Sequence, residues 1–169
     1  MGREEQRVAG SRYVVVPRTL CFVFHGQDVL LLKGHPDKRL WPNQYNGIGG
    51  HLEAGEDMAT AAQREVEEET GLTVHDLRLR GVVTVDVEPE MGVLIGVSSA
   101  WADSVKLVDS TEGALAWFDV ADLPVSEMVP DVPHLIERVM DRPAGAQPFS
   151  ARSRYDVDGR LLIVFACQE

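Results

Sequence analysis

The chain reads as an α+β protein, a mixed β-sheet with helices on both sides, and three observations predict it. Apolar residues recur at helical spacing in two separate stretches, 58–70 and 132–140. Runs rich in Val, Ile, Leu and aromatics precede, separate and follow those stretches, which is the order of an α+β layer architecture. Near the end, Asp158-Gly159 lies between two apolar runs and signals a β-hairpin.

The elements follow in order. Residues 1–11 are polar and read as a flexible N-terminal tail, leaving 12–169 as a single domain. Tyr13 to Phe24 is rich in Val and aromatics and predicts a strand, split by Pro17. Gly26-Gln27-Asp28 turns the chain into a short strand over Val29–Lys33. Gly34 to Asn46 is a loop, and the Gly-Ile-Gly-Gly run that follows suits an unusual backbone path. Asp57 is placed to cap a helix, although Thr60 leaves the capping box incomplete. Met58, Ala62 and Val66 form its buried stripe, helped by Ala59. Gly71 ends it in the left-handed slot, with Leu72 packing back. Strands are predicted over Leu79–Val87, Val93–Ala102 and Leu115–Phe118. A second helix is predicted over Val132–Met140 with Leu135, Ile136 and Val139 inward, and the hairpin pairs Ser153–Val157 with Leu161–Phe165.

Charge narrows the function. Sixteen Lys and Arg face 27 Asp and Glu, a net charge of −11. That balance argues against a nucleic acid polymer as partner, because neutralising a phosphate backbone takes a basic face. A polyphosphate substrate fits only if divalent cations belong to the site. Cys21 and Cys167 have no metal-ligand spacing and read as thiols of a reducing compartment. The N-terminus lacks the apolar core of a signal peptide, and no apolar run is long enough to span a bilayer. These features predict a cytoplasmic protein without a membrane partner.

The chemistry concentrates in residues 50–72. Glu65, Glu68 and Glu69 stand at i, i+3 and i+4, so a helix puts all three on one face. Their repulsion, about 0.2–0.5 kcal/mol per pair, is relieved by a cation. Several carboxylates without Cys or His suit Mg²⁺ or Mn²⁺ better than zinc. The competing reading is a solvated acidic face. Arg64, four residues before Glu68, can fix that carboxylate or form an ordinary surface ion pair. Glu56 is either an anchor of the loop or a supporting metal contact, and Glu67 lies on a different face.

The spacing is Gly50, five residues, Glu56, seven residues, Arg64-Glu65, Val66, one residue, Glu68-Glu69, one residue, Gly71-Leu72. This pattern resembles the Nudix box in every slot, and the chain is similar to the Nudix hydrolases. The resemblance implies an α/β/α sandwich and attack of water on a phosphorus of a diphosphate linkage. It implies Glu65, Glu68 and Glu69 as ligands of Mg²⁺ (or Mn²⁺), with the Gly50 carbonyl as a further one. Arg64, Glu65, Glu68, Glu69 and Glu112 form the implied catalytic set. Glu68 is the first choice of general base and Glu112 the alternative. Glu112 lies in a loop just ahead of Trp117-Phe118, where an acid would otherwise read as solvated; the resemblance adds it to the metal ligands.

Outside the box, the chain looks like the group that hydrolyses oxidised purine nucleoside triphosphates such as 8-oxo-dGTP. The matching pieces are 45–50, Glu112 with Trp117-Phe118, 128–131 and the 149–165 hairpin. The resemblance implies that Asn46 and Asp131 hydrogen-bond the base. Their alternatives are a turn residue and a cap of the second helix. Two positions depart from the group's animal members, which carry Trp and Asp where this chain has Val129 and Val132. Tyr45 is therefore a candidate aromatic contact, with Trp41 or Phe24 behind it. Lys33 opens a basic cluster with His35, Lys38 and Arg39 that can meet phosphates or be merely exposed. The main expectation is a small-molecule nucleoside triphosphate cut to monophosphate and pyrophosphate. A nucleoside diphosphate sugar such as ADP-ribose is the alternative, prompted by Pro89 some way past the box. A nucleotide sensor that does not cut is the third reading, disfavoured by the complete box. Many members of the family form homodimers, so a homodimer is compatible with the resemblance.

Overall fold

The computed structural model describes residues 12–143 and 145–166. The strands are β1 (Val14–His25), β2 (Asp28–Gly34), β3 (Tyr45–Asn46), β4 (Val74–Glu88), β5 (Met91–Ala102), β6 (Gly113–Asp119), β7 (Phe149–Tyr155) and β8 (Leu161–Phe165), with helices α1 (Met58–Thr70) and α2 (Val132–Met140). One mixed sheet runs β3-β2-β1-β5-β4-β7-β8, with β6 on the other edge of β2. β1 pairs with β5 and β4 with β7 in parallel, and the remaining ladders are antiparallel.

Alternation along the inner strands builds two cores, one on each face. Leu20, Phe22, Phe24, Val29 and Leu31 point to one side and meet Leu135, Ile136 and Val139 of α2. Cys21, Val23, Leu30 and Leu32 point to the other and meet Ala62 and Val66 of α1. Period-2 side chains on strands buried on both faces require such runs of apolar residues. The predicted helix–sheet–helix layering is therefore the observed one.

The segment after β3 wedges the sheet open. Tyr45 and Asn46 pair with Lys33 and Leu32 of β2, then Ile48 bridges to Cys21 and His51 to Arg18 of β1. Gly49 follows this path because a Cβ there would lie 2.0 Å from the Thr19 carbonyl oxygen. The glycine-rich turn thus lies flat on β1 and carries the chain to the start of α1.

Several boundaries differ from expectation. Pro17 does not split β1; it sits in the ladder opposite Leu94, and its own carbonyl accepts from Leu52 N–H. β4 begins at Val74, with register shifts against β5 that break the alternation seen in sequence. β7 runs from Phe149 to Tyr155, so Ala151–Tyr155 rather than Ser153–Val157 pairs with Leu161–Phe165, and Val157 falls in the turn. On α1 the buried residues are Ala61, Ala62, Val66 and Thr70, whereas Ala59 is exposed. The tail over 1–11 and Cys167 lie outside the described residues. Among the described residues, no helix is long and apolar enough to cross a membrane.

Candidate active site

Local rules set the acidic helix. Asp57 Oδ1 accepts from the Ala59 and Thr60 N–H groups, both at 2.9 Å, fixing where α1 starts. Gly71, at φ 71°, ends it and donates its N–H to the Glu67 carbonyl. Between the caps, Arg64 joins the loop to the helix. Its Nε and Nη2 donate to the two oxygens of Glu56 at 2.7 and 3.0 Å. Nη2 also donates to the His51 carbonyl at 3.1 Å, and Nη1 reaches Glu65 at 2.9 Å and Glu68 at 3.1 Å. Such a bidentate, half-buried fork is not a solvated surface pair. Glu56 accepts in addition from the Glu53 N–H at 3.1 Å, so it is fastened on both sides. Those bonds hold its carboxyl below the usual range, and they identify it as an anchor of the loop.

Glu65 lies flat against the glycine turn: a Cβ on Gly50 would be 2.3 Å from its Oε1. Only glycine leaves room for that carboxylate. The Gly50 carbonyl accepts from Thr19 N–H at 3.0 Å, which leaves its second lone pair unused by that bond. Glu69 is half-buried, and its Oε2 is sealed from solvent without a hydrogen-bond partner. Burial and the neighbouring carboxylates of Glu65, Glu112 and Glu68 push Glu69 up to about 7, partly opposed by Lys38. Glu112 is thereby placed beside the box, where Lys38 grips it at 2.7 Å. Glu68 is the most open of the three, its side chain 61% exposed.

A divalent ion fits this donor set. An orphaned, buried carboxylate oxygen and a backbone that admits no side chain are features that a cation would satisfy. As they stand, however, no three acidic, His or Cys side chains among the described residues converge to hold an ion. Arg64 and Lys38 occupy the carboxylates instead.

Next to the turn is a cavity of about 230 Å³, whose walls include Asn46, Gly50, Val129, Asp131, Trp41 and Tyr155. Asp131 is buried and stands at the N-cap position of α2, but its side chain makes no capping bond; its Oδ2 accepts from Ser153 Oγ at 3.1 Å instead. Burial raises its pKa, and burial, with a smaller push from that carboxylate, raises the Tyr155 phenol. Asn46 makes one local bond, its Oδ1 accepting from Gly47 N–H at 2.8 Å, while still lining the cavity. Trp41 and Tyr155 stack with ring centroids 6.3 Å apart and planes 14° from parallel.

Residues 15–139 match the family model of the NUDIX domain. The chain belongs to the Nudix hydrolases. It is 34% identical over 115 residues to the oxidized purine nucleoside triphosphate hydrolase of Danio rerio, spanning 67% of this chain and 72% of that protein. The Mus musculus protein of the same name is 32% identical over 117 residues, with the same coverage of each chain. Its fold matches the crystal structure of a MutT protein from Bacillus halodurans, with a TM-score of 0.75 at 22% identity, covering 92% of this chain and 100% of the other. As a Nudix hydrolase it is an enzyme, and its family acts on nucleoside diphosphate linkages.

The Nudix box residues Gly50, Arg64, Glu65, Glu68 and Glu69 lie near one another and near Glu112, and Asn46 and Asp131 share the adjoining cavity. Lys33 and Tyr45 are not brought there. Lys33 Nζ is engaged by Glu127 at 2.6 Å and lies over the Tyr45 ring, which packs edge-on against Phe118. Neither residue is in the cavity lining: Lys33 is paired with Glu127, and Tyr45 packs on Phe118. Trp41, expected behind Tyr45 as an aromatic contact, does line the cavity. Two residues that the sequence gives no role lie at the site as well: Tyr155 lines the cavity, and His51 is held by Arg18 Nη2 at 2.8 Å through its side chain and by Arg64 through its carbonyl. Strand alternation puts Ser153 and Tyr155 on one face of β7, but no local signal says that this face meets Asp131.

Proposed function

We propose that this enzyme hydrolyses an oxidised purine nucleoside triphosphate, 8-oxo-dGTP or a related (d)NTP, to a monophosphate and pyrophosphate with Mg²⁺, Mn²⁺ substituting. The observation that carries the reading is the shared cavity: Asn46 and Asp131 line the same space as Gly50, whose other neighbour is the Glu65 carboxylate. A base read by the first pair therefore leaves its phosphates beside the acidic cluster. An amide offers both a donor and an acceptor to a purine edge. The raised pKa of Asp131 makes its protonated, donating form more accessible than that of a surface acid. Trp41 and Tyr155 supply aromatic surface at a site whose Val129 offers none. Two relatives carry the same substrate class in their names.

Glu65, Glu68, Glu69 and Glu112, with the Gly50 carbonyl, would hold the divalent ions. Such ions, when bound, neutralise phosphoryl oxygens and activate water. Arg64 positions Glu65 and Glu68 through its shared Nη1, and ties both to the loop through Glu56. Glu68, the most exposed carboxylate, takes the proton from the attacking water, and Glu112 stands as the alternative base.

The test is product chromatography after incubation with 8-oxo-dGTP, ordinary dNTPs and ADP-ribose in Mg²⁺. Pyrophosphate and 8-oxo-dGMP as the preferred products support the reading. AMP from ADP-ribose as the preferred product refutes it.

A further inference from the structure

A second cleft, of about 480 Å³, lies where the β1–β2 turn, the start of β4, Trp101 of β5 and the end of α2 meet. It shares no lining residue with the Asn46–Asp131 cavity. Its walls are unexpectedly cationic for a chain of net charge −11: Arg78, Arg80 and Arg142 all line it. Arg80 Nη2 donates to the carbonyls of Val139 and Arg142, both at 3.0 Å, and its Nε is buried without a hydrogen-bond partner. Among the described residues, the ion pairs include neither Arg78 nor Arg80. Burial and the positive charges of Arg78 and Arg142 hold the Arg80 pKa below its ordinary value. The acid in the wall, Asp76, is 3.2 Å from His75 Nδ1, and His75 Nε2 is 3.3 Å from Asp103.

The backbone here is irregular as well. β4 shifts register against β5 twice, between His75 and Arg78 and between Leu79 and Gly81. Asp76 adopts φ 51°. Bulges re-aim side chains and gather beside functional sites, and left-handed non-glycine residues persist where a site over-determines them. Trp101, 36% exposed, lines the cleft and packs against Phe24 at 5.4 Å between ring centroids. Capping the last carbonyls of α2 accounts for Arg80 alone. It leaves exposed Arg78, the indole and both bulges without a purpose.

We propose that this cleft is a second nucleotide site, binding a nucleoside phosphate with its base on Trp101 and its phosphate on Arg78 and Arg80. Guanidinium forks match phosphate oxygens, and every base offers a face to an indole. The volume lies in the range of small-ligand pockets. The inference does not depend on the reaction proposed above, since it concerns other residues and needs no metal.

The test titrates GMP into the full chain in excess EDTA and follows the tryptophan indole N–H resonances, that of Trp101 being assigned with Trp101→Phe. The Trp101 resonance is expected to move, and Arg78→Glu to weaken the binding it reports by about tenfold or more. Arg78→Ala is expected to weaken it in the same direction. Arg160→Glu, an equal change of net charge on the β7–β8 turn, and Asn46→Ala leave it within about twofold. A Trp101 resonance unmoved at about 10 mM GMP overturns the proposal. So does a titration that Arg78→Glu and Arg78→Ala leave unchanged, or one that Asn46→Ala abolishes.

Discussion

Arg64 holds Glu56 by two parallel bonds, Nε to Oε1 at 2.7 Å and Nη2 to Oε2 at 3.0 Å. This pair spans the loop before α1 and the helix itself, so the positions of Glu65 and Glu68 depend on a residue that need not touch substrate. Arg64→Lys keeps the charge but cannot make the fork. It is expected to lower kcat by about 10- to 100-fold, as loss of a ligand's supporting partner typically does. Glu56→Gln should then cost much less in the Arg64→Lys background than it does alone, because the two act as one unit. Steady-state kinetics of the cycle checks this, and full additivity would speak against the coupling.

Gly50 is expected to be as sensitive as the acids. In Gly50→Ala the new methyl would displace the Glu65 carboxylate, which lies 2.3 Å from the Cβ position. Turnover should fall at least about a hundredfold, while circular dichroism stays unchanged. Near-normal turnover would show that the Glu65 carboxylate need not lie where it does.

Glu68→Gln should retain the fold, since the side chain is 61% exposed, and lose at least about a hundredfold in rate. Wild-type rates in this variant would remove Glu68 from the chemistry.

Asp131 supplies a pH-dependent test. Burial raises its folded pKa above the unfolded value, and the bond from Ser153 opposes this only in part. A carboxyl raised in this way costs nothing when protonated in both states, below its unfolded value of about 4. The cost grows as pH rises through the higher folded value, so the residue destabilises the protein at neutral pH. Asp131→Asn is therefore expected to raise Tm at pH 8, with the gain shrinking toward pH 4. Thermal unfolding across that range checks the sign, and a gain that grows on acidification would contradict it. The same variant should lose preference for an oxidised purine over an ordinary dNTP.

Much of this site was legible in the sequence because its parts are local. Asp57, Arg64 through Glu69 and Gly71 obey capping and i, i+4 rules, and α2 spans the residues its apolar pattern indicated. Long-range consequences were not legible. The bulges of β4 hide its first turn of strand from any period-2 count, and Val74 to Arg78 are read correctly only beside β5. Asp131 has the local pattern of a cap, whereas the partner of its carboxylate, the buried Ser153, lies 22 positions away. Lys33 is 2.6 Å from Glu127, a partner 94 positions away that no local pattern announces. Tyr155 reaches the cavity only because β7 joins β4 in parallel, a pairing that no neighbouring residue announces.

Direct measurement of divalent ion binding tests the central claim most closely. Mn²⁺ titrated into the full chain and followed by electron paramagnetic resonance should bind, with affinity weakened about tenfold or more in Glu65→Gln and in Glu69→Gln. Hydrolysis of 8-oxo-dGTP in the same samples should stop on adding EDTA. Binding unchanged in both variants, or hydrolysis that proceeds equally in EDTA, would contradict the account.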